Sequence, residues 1–172
     1  MNLRKVLCAL AIVAIGVAAP GASGGIDAKA AFAQLKQLEG VWESKGQGGT
    51  SRSEFELTAN GTVLLERYSN SAMPGNGRMA TAYHLDGAEL VLTHYCMANN
   101  QPVLRAERFD AAAKEIQFEF VRAGNLPSEN GGHMRRAKYR LIDADHFLTE
   151  WEFFENGTKK MTETATFTRV KR

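Results

Sequence analysis

The chain has 172 residues, 44% of them hydrophobic and 23% charged, with 21 basic side chains against 19 acidic. Those proportions are the ones an ordinary globular domain carries. They lack the strong basic excess that marks a nucleic-acid-binding surface, so no nucleic acid is expected as a partner.

The chain opens with Arg4 and Lys5, then an uncharged apolar run of 14 residues, Val6 to Ala19, then the small residues Gly21, Ala22, Ser23, Gly24 and Gly25. A basic start, a short apolar stretch and a small-residue exit are the three parts of a secretory signal. The run falls short of the roughly 20 residues that span a bilayer. Residues 1–22 are therefore expected to be a signal peptide cut between Ala19 and Ala22, and the protein to be exported, periplasmic or extracellular, with no membrane span in the mature form. Loss of Arg4 and Lys5 leaves 19 basic against 19 acidic residues, a net charge near zero. Cys8 leaves with the signal, so Cys96 stands alone and no internal disulfide forms. About 150 residues remain, enough for a core without covalent staples.

Residues 27–172 read as one domain. Residues 27–38 predict a helix: Asp27 is a capping residue, the alanines favour helix, and Phe32, Leu35 and Leu38 share a face. Gly40 ends it, and from there the apolar period falls from 3.6 to 2. Ten strands are expected, at 41–45, 53–57, 62–69, 79–85, 89–96, 103–109, 115–122, 135–142, 147–154 and 161–170. Asn60-Gly61 and Asn156-Gly157 are two-residue hairpin signals. Asp86-Gly87 reads as a third, which would set Leu85 opposite Ala88 and His84 opposite Glu89.

Ten consecutive strands with short links exclude parallel crossovers. They must close or fold over to hide their edges. A mainly β fold is expected, an antiparallel up-and-down barrel with one short N-terminal helix; a two-sheet sandwich is the alternative. Several strands carry polar residues on both faces. Glu163 and Arg169 share a face with Ala165 and Phe167, opposite Thr162, Thr164, Thr166 and Thr168. Such mixed faces fit a barrel around a partly polar cavity better than a solid sandwich.

The segment Leu38-Glu39-Gly40-Val41-Trp42, set after a short helix and leading into a meander that ends Phe167-Thr168-Arg169, resembles the lipocalin-like proteins of the calycin group. In those proteins a Gly-x-Trp motif on the first strand plugs the barrel floor. Tyr83-His84-Leu85-Asp86-Gly87, and Thr93-His94-Tyr95-Cys96 followed by Asn100-Gln101-Pro102, resemble the middle segment of an uncharacterised family of small bacterial secreted proteins within that group. The resemblance runs from about residue 30 to the end. It implies a closed barrel and interior binding of a small molecule. The histidine that holds haem in the related nitrobindins has no counterpart on the last two strands, so haem is not implied. Tyr139 and Arg140 do not form a carboxylate-binding pair, because strand neighbours face opposite ways.

The candidate site centres on His94 and Cys96, which share a strand face with Leu90 and Leu92, and on Asn100 and Gln101 in the loop that follows. Two residues along a strand are about 7 Å apart, too far for a tight nucleophile–base pair. A metal would need a third ligand; His84 lies near a turn and is a poor one, so no metal and no cofactor are expected. Phe118 and Phe120 form one aromatic stripe, and Phe147, Trp151 and Phe153 another, as core or as cavity wall. Glu150 and Glu152 share the opposite strand face and read as solvated rather than as an acid–base pair. Esterase, zinc-protease, redox Cys-x-x-Cys and phosphate-loop motifs do not occur. Asn60-Gly61-Thr62 and Asn156-Gly157-Thr158 match the glycosylation pattern but are accounted for by hairpin geometry.

These features favour an exported barrel that binds a small apolar or amphipathic molecule through Trp42, His94, Cys96, Asn100, Gln101, Phe118, Phe120 and Trp151. The alternatives are an isomerase-like or hydrolase-like enzyme using a pocket near His94 and Cys96, and a structural or partner-binding envelope protein. The sequence does not specify the oligomeric state.

Overall fold

The computed structural model describes residues 25–46 and 48–171; the expected signal segment lies outside the described residues. Helix α1 spans Ala28–Lys36, and Asp27 caps it as expected, its Oδ1 accepting the Ala30 N–H at 2.9 Å. Nine residues make too short a helix to stand alone in water. Its stability comes from Ala31, Phe32 and Leu35, followed by Leu38, all buried against one end of the sheet.

Ten strands follow: β1 (Gly40–Gly46), β2 (Gly49–Thr58), β3 (Val63–Asn70), β4 (Met79–Asp86), β5 (Glu89–Tyr95), β6 (Gln101–Asp110), β7 (Glu115–Gly124), β8 (His133–Leu141), β9 (His146–Glu155) and β10 (Thr158–Arg169). Each pairs antiparallel with its neighbour in sequence, and β10 returns to β1, so the sheet closes into a barrel. Closure removes the exposed edges that a two-sheet sandwich would keep. Asn156-Gly157 is the expected two-residue hairpin turn, both residues at positive φ between the paired Glu155 and Thr158. Asn60-Gly61 is not: Thr58 pairs with Val63, so these residues sit in a four-residue loop whose Ala59–Gly61 forms a 3-10 turn. The Asp86-Gly87 register differs from expectation. Gly87 is the first central residue of the turn, at φ +59°, so Asp86 stays in the strand opposite Glu89 and His84 pairs with Val91. The slip matters because it brings Thr81 opposite His94.

The floor is built around Trp42. Its indole N–H donates to the Leu38 carbonyl at 2.7 Å, and its ring meets Phe147 edge-on at 4.8 Å. Arg169, paired with Trp42 across the β1–β10 seam, lays its guanidinium over the indole at 4.0 Å. The same guanidinium donates to the carbonyls of Gln37, Glu39 and Ala144 at 2.9, 2.8 and 3.0 Å. It thereby ties the C-terminal end of the helix to the last strand, where a cation suits the exposed carbonyls. Gly40, at φ +123°, makes room for this, since a Cβ there would sit 3.0 Å from Arg169 Nη1.

Above the floor, Phe55, Tyr83, Phe118, Tyr139, Phe147 and Phe167 fill the barrel from wall to wall, all nearly or wholly buried. Each such side chain contributes roughly 1.5–3 kcal/mol by leaving water. The outer face is ion-paired. Lys138 meets Glu150 at 3.1 Å, and Arg136 and Lys159 both meet Glu152, which places those two carboxylates outside the barrel as charged surface.

The closing seam is the weakest join. β9 and β10 share ten paired positions, whereas β1 and β10 share two, Trp42–Arg169 and Glu43–Thr168. Beyond these, Ser44–Gly46 has no ladder partner on β10 among the described residues.

Candidate functional site

The end of the barrel opposite α1 is polar inside. On β3, Leu64, Glu66 and Tyr68 point inward, and Glu66 is buried at 5% exposure. Its carboxyl accepts from Ser53 Oγ at 2.7 Å on one oxygen, and from the Tyr83 and Tyr139 hydroxyls at 2.7 and 3.3 Å on the other. The two tyrosine hydroxyls also lie within hydrogen-bond reach of each other, so their two protons are shared among the three contacts. Burial raises the Glu66 pKa above the ordinary carboxyl value, against the lowering effect of its three hydroxyl donors. Both tyrosines are pushed well above the usual phenol value, first by burial and then by the neighbouring carboxylate. They keep their protons at neutral pH and serve the carboxyl as hydrogen-bond donors.

Of this cluster Glu66 lines a cavity whose walls include Thr81, His94, Thr149 and Trp151, with Met79 and Met134 beside them and Tyr68 and Glu163 at the mouth; Ser53, Tyr83 and Tyr139 lie behind Glu66. Tyr68 donates to Glu163 at 3.0 Å and also meets Ser51 at 2.9 Å. The enclosed free space is about 30 Å³, and the concavity reaches about 460 Å³ when its open mouth is counted. The first figure holds one or two waters. It is far below the roughly 300 Å³ of a typical ligand pocket, so the interior as it stands admits only a small group, and anything larger must extend into the mouth.

His94 is the most telling wall residue. Its Nδ1 lies 3.0 Å from Thr81 Oγ1, and its ring packs on Trp151 at 4.8 Å between centroids. Nε2 is buried with no hydrogen-bond partner. An unmet buried polar atom costs about 1–3 kcal/mol, so this nitrogen is a ready contact for a ligand. Burial lowers the His94 pKa to about 4, and the ring is neutral at physiological pH.

The other residues singled out in the sequence divide into three groups. Trp42 and Phe118 belong to the packed core, Trp42 at the floor and Phe118 against Tyr83 and Tyr139. Asn100 and Gln101 tie loops together. Asn100 Nδ2 donates to the Gly132 carbonyl at 2.7 Å, and Gln101 Oε1 accepts from Asn125 at 2.8 Å. Phe120 packs on His133 at 4.4 Å beneath the same loops. Cys96 sits just past β5, where its backbone N–H donates to the Asn100 carbonyl at 3.1 Å. Burial raises its thiol pKa, and it is not part of the cavity wall. The structure thus unites His94 and Trp151 and places the rest elsewhere. His84, next to inward-facing Tyr83, lies on the outer side of β4.

Sequence reasoning missed Glu66, Tyr83, Tyr139 and Thr81. The inward set Leu64, Glu66 and Tyr68 has the same make-up as the outward set Leu65, Arg67 and Ser69, so β3 alone gave no signal. Among the described residues, no three His, Cys, Asp or Glu side chains converge as a metal site, and no helix is long and apolar enough to cross a membrane. Comparison with protein-family models and with curated proteins gives no match, so the reading of this site rests on its own chemistry.

Proposed function

We propose that this protein is an exported, lipocalin-like barrel that binds a small amphipathic molecule at the end opposite its helix. The observation that carries the reading is His94 Nε2, buried and unpartnered on the wall of a cavity that also offers a carboxyl, hydroxyls and an indole face. A cavity with a few convergent polar groups on an otherwise apolar wall is the usual form of a small-molecule site. Export is supported by the apolar run after Arg4 and Lys5.

The thiol-enzyme alternative has less behind it. Cys96 is outside the cavity wall, and its raised pKa keeps the thiol protonated, which removes the nucleophile. The envelope-protein alternative also lacks a platform. The exposed large apolar side chains, Tyr95, Met97, Val121, Ile142, Met161 and Val170, are spread over several strands and the segments after them.

Native mass spectrometry of protein purified from the compartment of a producing cell tests the reading. A discrete co-purifying mass is expected, and it should be absent from a Thr149→Trp variant that fills the cavity but remains folded by circular dichroism. A molecule retained equally by that variant would place the site elsewhere.

A further inference from the structure

The lining of the cavity is one-sided in charge. Glu163 contributes a carboxylate and Glu66 a carboxyl whose ionisation burial opposes, and no lysine or arginine lines it. His94 adds no positive charge, because burial keeps it neutral. Its Nδ1 is engaged with Thr81, and its Nε2 is buried and unpartnered. Trp151 contributes a π face on the same wall. A carboxylate oxygen and an indole face are groups that attract a cation and repel a carboxylate.

The seam supplies the route. Where β1 and β10 part, an open groove lies between Ser44–Gly46 and the stretch Met161–Ala165 of β10. It shares Glu163 and Ala165 with the interior cavity. Glu163 therefore stands at the junction of the outer groove and the inner space, held there by the hydrogen bond from Tyr68.

We infer that the ligand carries an organic ammonium group, which enters through the β1–β10 gap past Glu163 and alone reaches the inner space beside Trp151, its apolar portion staying in the outer groove against Met73 and Met161. This inference depends on the cavity being the binding site, as proposed above, and adds the chemical class of the ligand. It is the reverse of a fatty-acid carrier, because the charge built into the wall would exclude an anionic head group.

Three six-carbon probes of matched size separate the two levels of the reading: hexylammonium, hexanol and hexanoate. Each is titrated into the purified protein at neutral pH, with tryptophan fluorescence and calorimetry as readouts. Hexylammonium is expected to bind about tenfold or more tightly than either of the others. In Glu163→Gln, at a partly exposed position outside the packed core, that preference should disappear while hexanol binding stays the same. Equal binding of all three probes, a preference for hexanoate, or a preference for hexylammonium that survives Glu163→Gln overturns the ammonium inference and leaves the cavity as a site. No binding of any probe overturns both.

Discussion

Glu66 is surrounded by hydroxyls and not by a counter-charge, and this sets its energetics. A carboxyl whose folded pKa lies above the unfolded value stabilises the fold while protonated, and that contribution is lost as pH rises through the folded pKa. His94 has the opposite sense. Its folded pKa of about 4 lies below the ordinary 6.5, so the unfolded chain binds the extra proton first. Stability attributable to His94 is full above pH 6.5 and is lost as pH falls from there to about 4, by about 3 kcal/mol at most. Denaturant unfolding of the natural protein and of His94→Gln, at pH 7 and at pH 4.5, isolates this effect, since Glu66 titrates in both. The advantage of the natural protein over the variant is expected to shrink by at least about 1 kcal/mol at the lower pH. An unchanged difference would mean that the ring is solvated.

Among the elements, the α1–β1–β10 junction was legible in the sequence and the Glu66 cluster was not. The capping aspartate, the alanine-rich stretch, Gly40 and the alternation that follows are local signals, and each acts within a few residues of itself. The role of Trp42 as floor plug followed from a resemblance, and the structure adds its partner, Arg169. Glu66 escaped notice for a physical reason. Along β3, Leu64, Glu66 and Tyr68 alternate with Leu65, Arg67 and Ser69, so each face offers one aliphatic, one charged and one polar group. Only the partner strands decide which face is inside. The β4–β5 register was missed because Asp86-Gly87 satisfies the hairpin pattern in two frames, and the glycine's backbone conformation selects one. Arg169 yields a prediction at this scale. It combines three hydrogen bonds from a charged donor with a stacked indole. Arg169→Ala is expected to cost about 3 kcal/mol in chemical denaturation. Arg169→Lys should recover less than half of that, because an ammonium cannot span three divergent carbonyls from above a ring. Full rescue by lysine would show that charge alone matters there.

In the whole molecule, stability is unevenly distributed around the ring of strands. The β9–β10 ladder is long and the β1–β10 ladder is two rungs, so local opening should begin at the seam. Native-state hydrogen exchange is expected to show the β10 amides that point at β1 exchanging at least about 100-fold faster than those bonded to β9. Uniform protection along both edges of β10 would contradict a gap there and remove the proposed access route with it.

The Arg169 clasp also fixes an order of events in time. The residues it joins stand 130 positions apart, and the guanidinium comes from β10, the last strand of the barrel to be made. Helix, floor and first strand are all made early, yet none can be locked until the final strand arrives. The barrel therefore closes only once its last strand has been made and is free to return to the first.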